Sequence, residues 1–405
     1  MSRARYLLFV AITVLSPFLL LGAVELVLRV TWSRGAVPLF VTAPDGGNQY
    51  LIGNPFVTSR FFSQEGHPPT LVTDPFARVK PAHAFRVFVL GESSAAGFPY
   101  PRNGSFPRLL RDMLRDVLPG DSVEVVNLGI PATNSYAMLD FTNEVVRQHP
   151  DVVLIYAGHN EYYGALGVGS TERVGSSPAV VRMYLGLEHL RTFMLLRVAM
   201  LSVWHRFEKP APVGPAVASF METVARDQQI TLGGRAYEQG VQQFEGNLDR
   251  IVDRLHDAGV PVFLASIVSN LRDMHPFASP ANAGPGNADA VFDSAQRAFA
   301  ARDSLRAGSM FRQARDLDVV RFRAPTEFNA VIRRVAQRPG VTYVPVAEAF
   351  AAASPGGIVG HELILEHLHP NQQGYALIAR QFFDALHAAN FLGHSAQMER
   401  LRPWD

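Results

Sequence analysis

The chain has no cysteine. That excludes disulfides, thiolate zinc sites and a cysteine nucleophile, and is compatible with an oxidising compartment. Net charge is almost absent too: 37 Lys and Arg against 36 Asp and Glu leave +1. With no dense basic stripe, nucleic acid is not an expected partner. The histidines lack metal-ligand spacing such as His-Glu-x-x-His, so neither a metal nor a cofactor is expected. What is plentiful is apolar: 48% of the 405 residues, enough for a large core. The length allows two or three domains at roughly 150 residues each, although large α/β domains run longer.

Charge is also missing locally, from Tyr6 to Val24, after Arg3 and Arg5. This run nearly matches the ~20 residues that span a bilayer. Pro17 inside it is tolerable in a membrane helix. A cleaved signal peptide competes, but its apolar core is usually about 7–15 residues and ends at a small-residue site. Here the run passes into Glu25-Leu-Val-Leu-Arg29 without one. Residues 1–32 are therefore expected to be an uncleaved, single-pass anchor in the cell membrane, with residues 6–30 in contact with lipid. Arg3 and Arg5 favour the N-terminus inside, although Arg29 and Arg34 flank the other end. The body of the protein is expected outside the cytoplasm, periplasmic or extracellular.

Residues 33–84, rich in Gly, Pro, Asn and aromatic residues, read as a stalk that wraps onto the following domain. From residue 85 to 392, short apolar runs alternate with helical patterns. Strands are expected at Phe85–Leu90, Val123–Asn127, Val152–Ala157, Val260–Ser266 and Val341–Val344. Helices are expected at Ser105–Leu118, Tyr136–Arg147, Arg235–Ala258, Ala324–Gln337 and Asn371–Ala389. Strands apolar on both faces and separated by helices predict a five-stranded parallel sheet covered on both sides.

Three stretches interrupt the rhythm. Ser176–Phe207 predicts one long apolar helix with scattered charges, either a lid packed on the domain or a helix lying on the membrane. Pro210–Pro215 is a Pro-rich break, and Pro276–Gly286 is a loop. Residues 287–317 read as an inserted helical pair with a turn near Ala307-Gly308, a candidate protein-binding element. Residues 393–405 form a C-terminal tail.

The candidate chemistry sits at strand ends. Gly91-Glu-Ser93 follows the first strand, and Gly97 closes the turn. The second strand leads into Gly129-Ile-Pro-Ala-Thr-Asn-Ser135, and the third into Gly158-His-Asn160-Glu161. Glu366-His-Leu-His369-Pro370-Asn371 introduces the last helix. In a parallel sheet these ends share one edge, where ligands bind.

In that order the blocks resemble the GDSL-type serine esterases, the SGNH hydrolase superfamily. The resemblance implies a flavodoxin-like three-layer α/β/α sandwich. It also implies Ser93 as nucleophile, His369 as general base and Glu366 as the acid that orients it, with Glu362 and His367 as alternative partners. The implied oxyanion hole is the backbone N–H of Ser93, that of Ala132 and the side-chain amide of Asn160. Gly158, His159 and Asn134 are candidate substrate contacts. The chain departs from the family pattern at Glu92, Ala132, Glu161 and Glu366, where Asp, Gly, Asp and Asp are usual. Ala132 would be strained at positive φ.

The expected activity is acyl-enzyme hydrolysis of an O-acyl ester, with an O-acetylated glycan or lipid of the cell envelope as the class the resemblance implies. Transfer of the acyl group to a sugar hydroxyl uses the same triad. A non-catalytic glycan-binding or envelope-assembly module is the alternative from another class.

Overall fold

The computed structural model describes residues 2–32, 37–45, 47–62, 69–170, 173–175, 177–204, 229–279, 287–393 and 396–402. Two compact units divide the chain: residues 1–38 with 174–214, and residues 39–173 with 215–405. The expected Pro-rich break at 210–215 lies outside the described residues, as do 280–286 of the expected loop.

The chain starts in helix α1 (Arg3–Thr31), whose N-terminus is capped by the Ser2 side chain. Pro17 lies in its interior and none of its residues is buried. At 1.5 Å per residue it is about 43 Å long, more than the ~30 Å hydrocarbon core. It is long and apolar enough to cross a membrane, a test that a signal sequence near an N-terminus also passes.

Strands β1 (Phe40–Thr42), β2 (Tyr50–Gly53) and β3 (Phe76–Ala77) then form a small antiparallel sheet. Phe40 and Phe76 pack at 5.7 and 5.5 Å on Phe88 of β4 (Ala84–Gly91). Strands of two to four residues are too short to show a hydrophobic period.

From β4 the chain runs through the single turn α2 (Ser93–Ala96), α3 (Phe106–Val117), β5 (Ser122–Asn127), α4 (Ser135–Val146) and β6 (Val152–Tyr156). Helices α5 (Pro178–Glu188) and α6 (Arg191–Trp204) follow. Then come α7 (Arg235–Asp257), β7 (Val262–Ala265), α8 (Ala288–Ala300), α9 (Ser304–Leu317) and α10 (Thr326–Val335). The order ends with β8 (Val341–Val344), α11 (Val346–Ala353) and α12 (Gln372–Ala388).

The main sheet is five-stranded, in the order β5-β4-β6-β7-β8, and every pairing in it is parallel. This is the 2-1-3-4-5 order of a flavodoxin-like α/β fold. Its strands are buried because helices cover both faces; β6, for example, has no exposed residue. The connection from β4 goes to one side, to β5, and the chain then returns past β4 to β6. The loops after β4 and β6 therefore diverge at the switch point, where such folds open a crevice.

Two expectations require correction. The apolar stretch 176–207 is not one helix: it breaks at His189–Leu190, between α5 and α6. Residues 176 and 205–207 lie outside the described residues. The break has a polar cause. The Glu25 carboxylate of α1 accepts the N–H groups of Arg191 (3.0 Å) and Thr192 (2.9 Å), and the Thr192 hydroxyl. In a continuous helix those N–H groups would bond backward along the chain; at a helix start they need an outside acceptor.

The inserted pair turns at Ala301–Asp303, not at Ala307-Gly308. Asp303 caps α9 through the Arg306 N–H. Ala307 and Gly308 lie inside α9, where their small size admits Ile358. Val291, Phe292, Ala295, Phe311 and Ala314 complete this core, so the pair buries its own apolar faces.

Candidate active site

Three backbone features set up the site. β4 ends at Gly91, and Ser93 opens the one-turn α2, which Gly97 closes at φ 93°. That left-handed conformation suits a residue without Cβ. The loop after β5 is held against α2 by Asn127, whose side chain donates to the Ala95 carbonyl (2.8 Å) and accepts from Gly129 N–H (2.9 Å). Before α12, residues 364–370 fold back on themselves: Leu365 N–H donates to the His369 carbonyl (2.8 Å) and Asn371 N–H to that of Leu363 (2.9 Å). Asn371 then caps α12 through Gly374 N–H (2.9 Å).

This geometry brings Ser93, His369 and Glu366 together. His369 Nε2 lies 2.8 Å from Ser93 Oγ. Its Nδ1 faces Glu366 Oε1. The same carboxylate accepts the backbone N–H groups of Leu368 (3.1 Å) and His369 (3.2 Å). Its other oxygen, Oε2, faces Nδ1 of His367. Burial opposes a charge on Glu366, but hydrogen bonds from His367 and His369 outweigh it and hold the carboxyl well below the ordinary carboxylate range. The alternative acid, Glu362, is engaged elsewhere: it pairs with Arg272 (2.5 Å) and accepts Gly360 N–H.

Three aromatic rings support the two histidines. The Phe98 ring lies 4.8 Å from His369, centroid to centroid. His367 meets Phe277 and Phe322 edge-on, at 5.4 and 5.9 Å. The His367 carbonyl accepts Asn270 N–H (3.0 Å), and the Asn270 carbonyl accepts from Arg323 (3.0 Å). Arg323 pairs with Asp318 (3.2 Å), and burial lowers its pKa to about 10.

Glu92 organises the loop after β6. Its buried carboxylate accepts the N–H groups of Gly158, His159 and Asn160, each at 3.0 Å. Burial pushes its pKa up, the Asn160 donor pulls down, the Glu161 charge pushes up, and the Gly158 and His159 donors pull down. The Asn160 carbonyl accepts Gly164 N–H (2.6 Å), and the Ala132 carbonyl accepts Ala165 N–H (2.9 Å), so the loops after β5 and β6 are tied together. Asn160 is partly exposed.

Gly158, His159 and Asn134, expected as substrate contacts, are interior scaffold. Gly158 is buried at φ 141°, and an added Cβ would press on Ile267 and Phe244. His159 is 3% exposed, and its Nδ1 accepts Ala324 N–H (3.2 Å). Burial, with the charges of His367 and His369, lowers its pKa to about 3, so the ring is neutral. Asn134 is fully buried; its Oδ1 caps α4 at Tyr136 N–H (3.1 Å) and its Nδ2 donates to the Gly164 carbonyl (3.4 Å). Buried polar groups usually take partners inside the fold, as Asn134 does; His159 Nε2 is buried and has no hydrogen-bond partner among the described residues.

Glu161 is likewise internal. It accepts from Ser135 Oγ (2.6 Å) and Gln243 (2.5 Å), and burial raises its pKa to about 7.

Ala132 adopts φ 59°. A left-handed L-residue costs about 1–2 kcal/mol, partly offset against glycine by the roughly 0.4–1 kcal/mol of extra unfolded-chain entropy that glycine brings. Ala132→Gly is therefore expected to raise stability by about 0.5–1 kcal/mol, read as a higher urea midpoint at unchanged slope. A lower midpoint would refute the strain at this turn.

A separate groove of about 1350 Å³, lined by Tyr100, Leu109, Leu363, Gln372 and Arg380 among others, includes none of Ser93, Glu366 or His369.

The model of the GDSL-like Lipase/Acylhydrolase family matches residues 89–377, more than half of the chain. No curated protein matches the chain. Solved structures give distant likenesses. The acetyl xylan esterase AlAXEase is 14% identical, with a TM-score of 0.40 over 74% of this chain and 99% of that one. The acetylxylan esterase Axe2 from Geobacillus stearothermophilus is 14% identical, with 0.39 over 81% and 100%. A GDSL-like lipase from Bacteroides thetaiotaomicron VPI-5482 is 12% identical, with 0.38 over 75% and 89%. Assignment rests on the match over residues 89–377, which spans every residue of the Ser93–His369–Glu366 arrangement: the chain belongs to the GDSL-like lipase/acylhydrolase family and is an esterase of it.

Proposed function

We propose that Ser93, His369 and Glu366 form the catalytic triad of a serine ester hydrolase that works through an acyl-enzyme. The observation that carries this is the continuous contact from Ser93 Oγ through both His369 nitrogens to Glu366. Ser93 Oγ attacks the ester carbonyl as its proton passes to His369 Nε2. The tetrahedral intermediate collapses, the C–O bond to the alcohol breaks, and His369 returns the proton to the departing oxygen. Water then attacks the acyl-enzyme by the same route and releases the acid. The Glu366 carboxylate holds the proton-bearing Nδ1 and stabilises the imidazolium.

The oxyanion donors are the N–H of Ser93, the N–H of Ala132 and the Asn160 amide. Among the described residues none of these groups donates to another protein group, which leaves them available to the developing charge. The ester is an O-acyl group, such as O-acetyl, on a cell-envelope glycan or lipid. That class is supported by the apolar α1, read as a single-pass anchor with the catalytic body outside the cytoplasm. Transfer to a sugar hydroxyl would run through the same acyl-enzyme.

A fluorophosphonate probe tests the proposal directly. Expected is one adduct, located by peptide mass on Ser93 and absent from Ser93→Ala; equal labelling of the variant would overturn it. Glu92→Gln tests the support of Asn160. It sets an amide N–H₂ against N–H donors, leaving a buried donor unsatisfied at about 1–3 kcal/mol. Expected is a lower urea midpoint, and kcat down by about tenfold or more with KM little changed. Unchanged kcat would remove Glu92 from the positioning of the oxyanion hole.

A further inference from the structure

Helix α6 does not have the surface of a water-facing helix. Leu195, Leu196, Val198, Met200 and Val203 are exposed, with Leu196 at 62% and Met200 at 64%. Between Leu195 and Val203 the only charged residue in the sequence is Arg197. That guanidinium turns inward onto Glu188 of α5 (2.7 Å), and both side chains are largely buried. Val180 and Met183 add exposed apolar surface on α5. A helix that is apolar around its circumference belongs inside a protein core or in lipid.

Its place along the chain is fixed by a polar contact. The N-terminus of α6 is capped by Glu25 in the last turns of α1, and Arg29 pairs with the same carboxylate (2.8 Å). The apolar face of α6 thus begins where the charge-free run of α1 ends, at the polar boundary of the segment read as crossing the bilayer. α6 has 14 residues, about 21 Å, too short for a ~30 Å core and in the size range of interfacial segments.

We propose that α6, with the outer face of α5, is seated in the lipid interface beside α1, as a second membrane contact that is not a second span. The internal Arg197–Glu188 pair removes the charge that would oppose insertion. The proposal rests on α1 crossing the membrane. With α1 alone in the bilayer, the apolar surface of α5 and α6 would face water; with that surface seated, the chain is restrained at two points along its length. That suits an ester substrate carried at or near the membrane.

Absence of cysteine makes the test clean. Single cysteines at Phe18, Leu196, Met200 and Leu305 of the full chain would each carry an environment-sensitive fluorophore. The protein is reconstituted in phosphatidylcholine–phosphatidylglycerol vesicles. Quenching by acyl-chain nitroxide lipids is compared with quenching by aqueous iodide. Leu305, 91% exposed on α9, is the solvent reference, and Phe18 reports α1.

Expected is lipid quenching at positions 18, 196 and 200, with iodide quenching at 196 and 200 about fivefold or more below that at 305. Lipid quenching at 18 with iodide access at 196 and 200 equal to that at 305 would overturn the interfacial seat and leave the span of α1 intact. No lipid quenching at 18 would overturn both. Positions 196 and 200 shielded from lipid and iodide alike would mean that protein covers α6, and would also overturn it.

Discussion

Ser93→Ala is expected to lower kcat/KM for a p-nitrophenyl ester by about 10⁵–10⁶-fold, the loss seen when a nucleophile that acts as one unit with its base is removed. The residual rate would come from oxyanion donors and binding, which still exceed water by roughly 10³–10⁴. The fold should not change. Ser93 Oγ gives up one hydrogen bond, to His369, worth about 1 kcal/mol. Unchanged circular dichroism and a urea midpoint within that margin separate lost chemistry from lost structure. Ser94 is the internal control: its hydroxyl is buried beside Ser93 and makes no hydrogen bond among the described residues, so Ser94→Ala should keep activity within a factor of a few. Ser93→Ala activity within tenfold of wild type would remove Ser93 from the chemistry.

Glu366→Gln is expected to cost about 10³–10⁴ in kcat/KM, because an amide cannot hold the imidazole in the productive tautomer or stabilise its cation. Glu366 is longer than the aspartate usual at this position and has one more torsion to fix. Leu368 and His369 N–H groups and the His367 ring fix it. His367→Gln should therefore act through Glu366, with a smaller loss concentrated in kcat. Equal loss in kcat and 1/KM would point to a substrate contact instead.

The acid pair also links to stability. The Glu366 carboxyl has its folded pKa depressed from the ordinary value of 4.5. Its contribution is therefore complete above about pH 4.5 and is lost as the pH falls from there toward the folded value. Below that pH the thermal midpoint of wild type should fall faster than that of Glu366→Gln, and parallel curves would remove this contribution. The side chain is more than a third exposed, so salt should blunt the difference.

Much of the scaffold was legible in the residues. Apolar runs between helical patterns predict a parallel sheet covered on both faces, since only strands buried on both sides can be apolar at every position. Four polar blocks, each just after a strand or before the last helix, then fall on one edge whatever the details of packing. Gly91-Glu-Ser93 and Glu366-His-Leu-His369 could be read for that reason, and so could the charge-free helix α1.

The misreadings concern polar groups whose partners lie far away in the chain. Asn134 looked available for substrate and instead ties α4 to Gly164. The backbone N–H groups of Gly158 and His159 are claimed by Glu92, more than sixty residues earlier, a pairing that no local pattern shows. The break between α5 and α6 has no proline or glycine at it; Glu25, at the other end of its unit, supplies the acceptor. Period, turn chemistry and motif order are local properties, so the residues alone determined the sheet, the apolar N-terminal helix and the strand-end blocks that carry Ser93, Glu366 and His369. Which buried donor meets which acceptor depends on groups that touch only after folding. That pairing, decided by the tertiary structure, separates the side chains that hold the site from those left free to act in it.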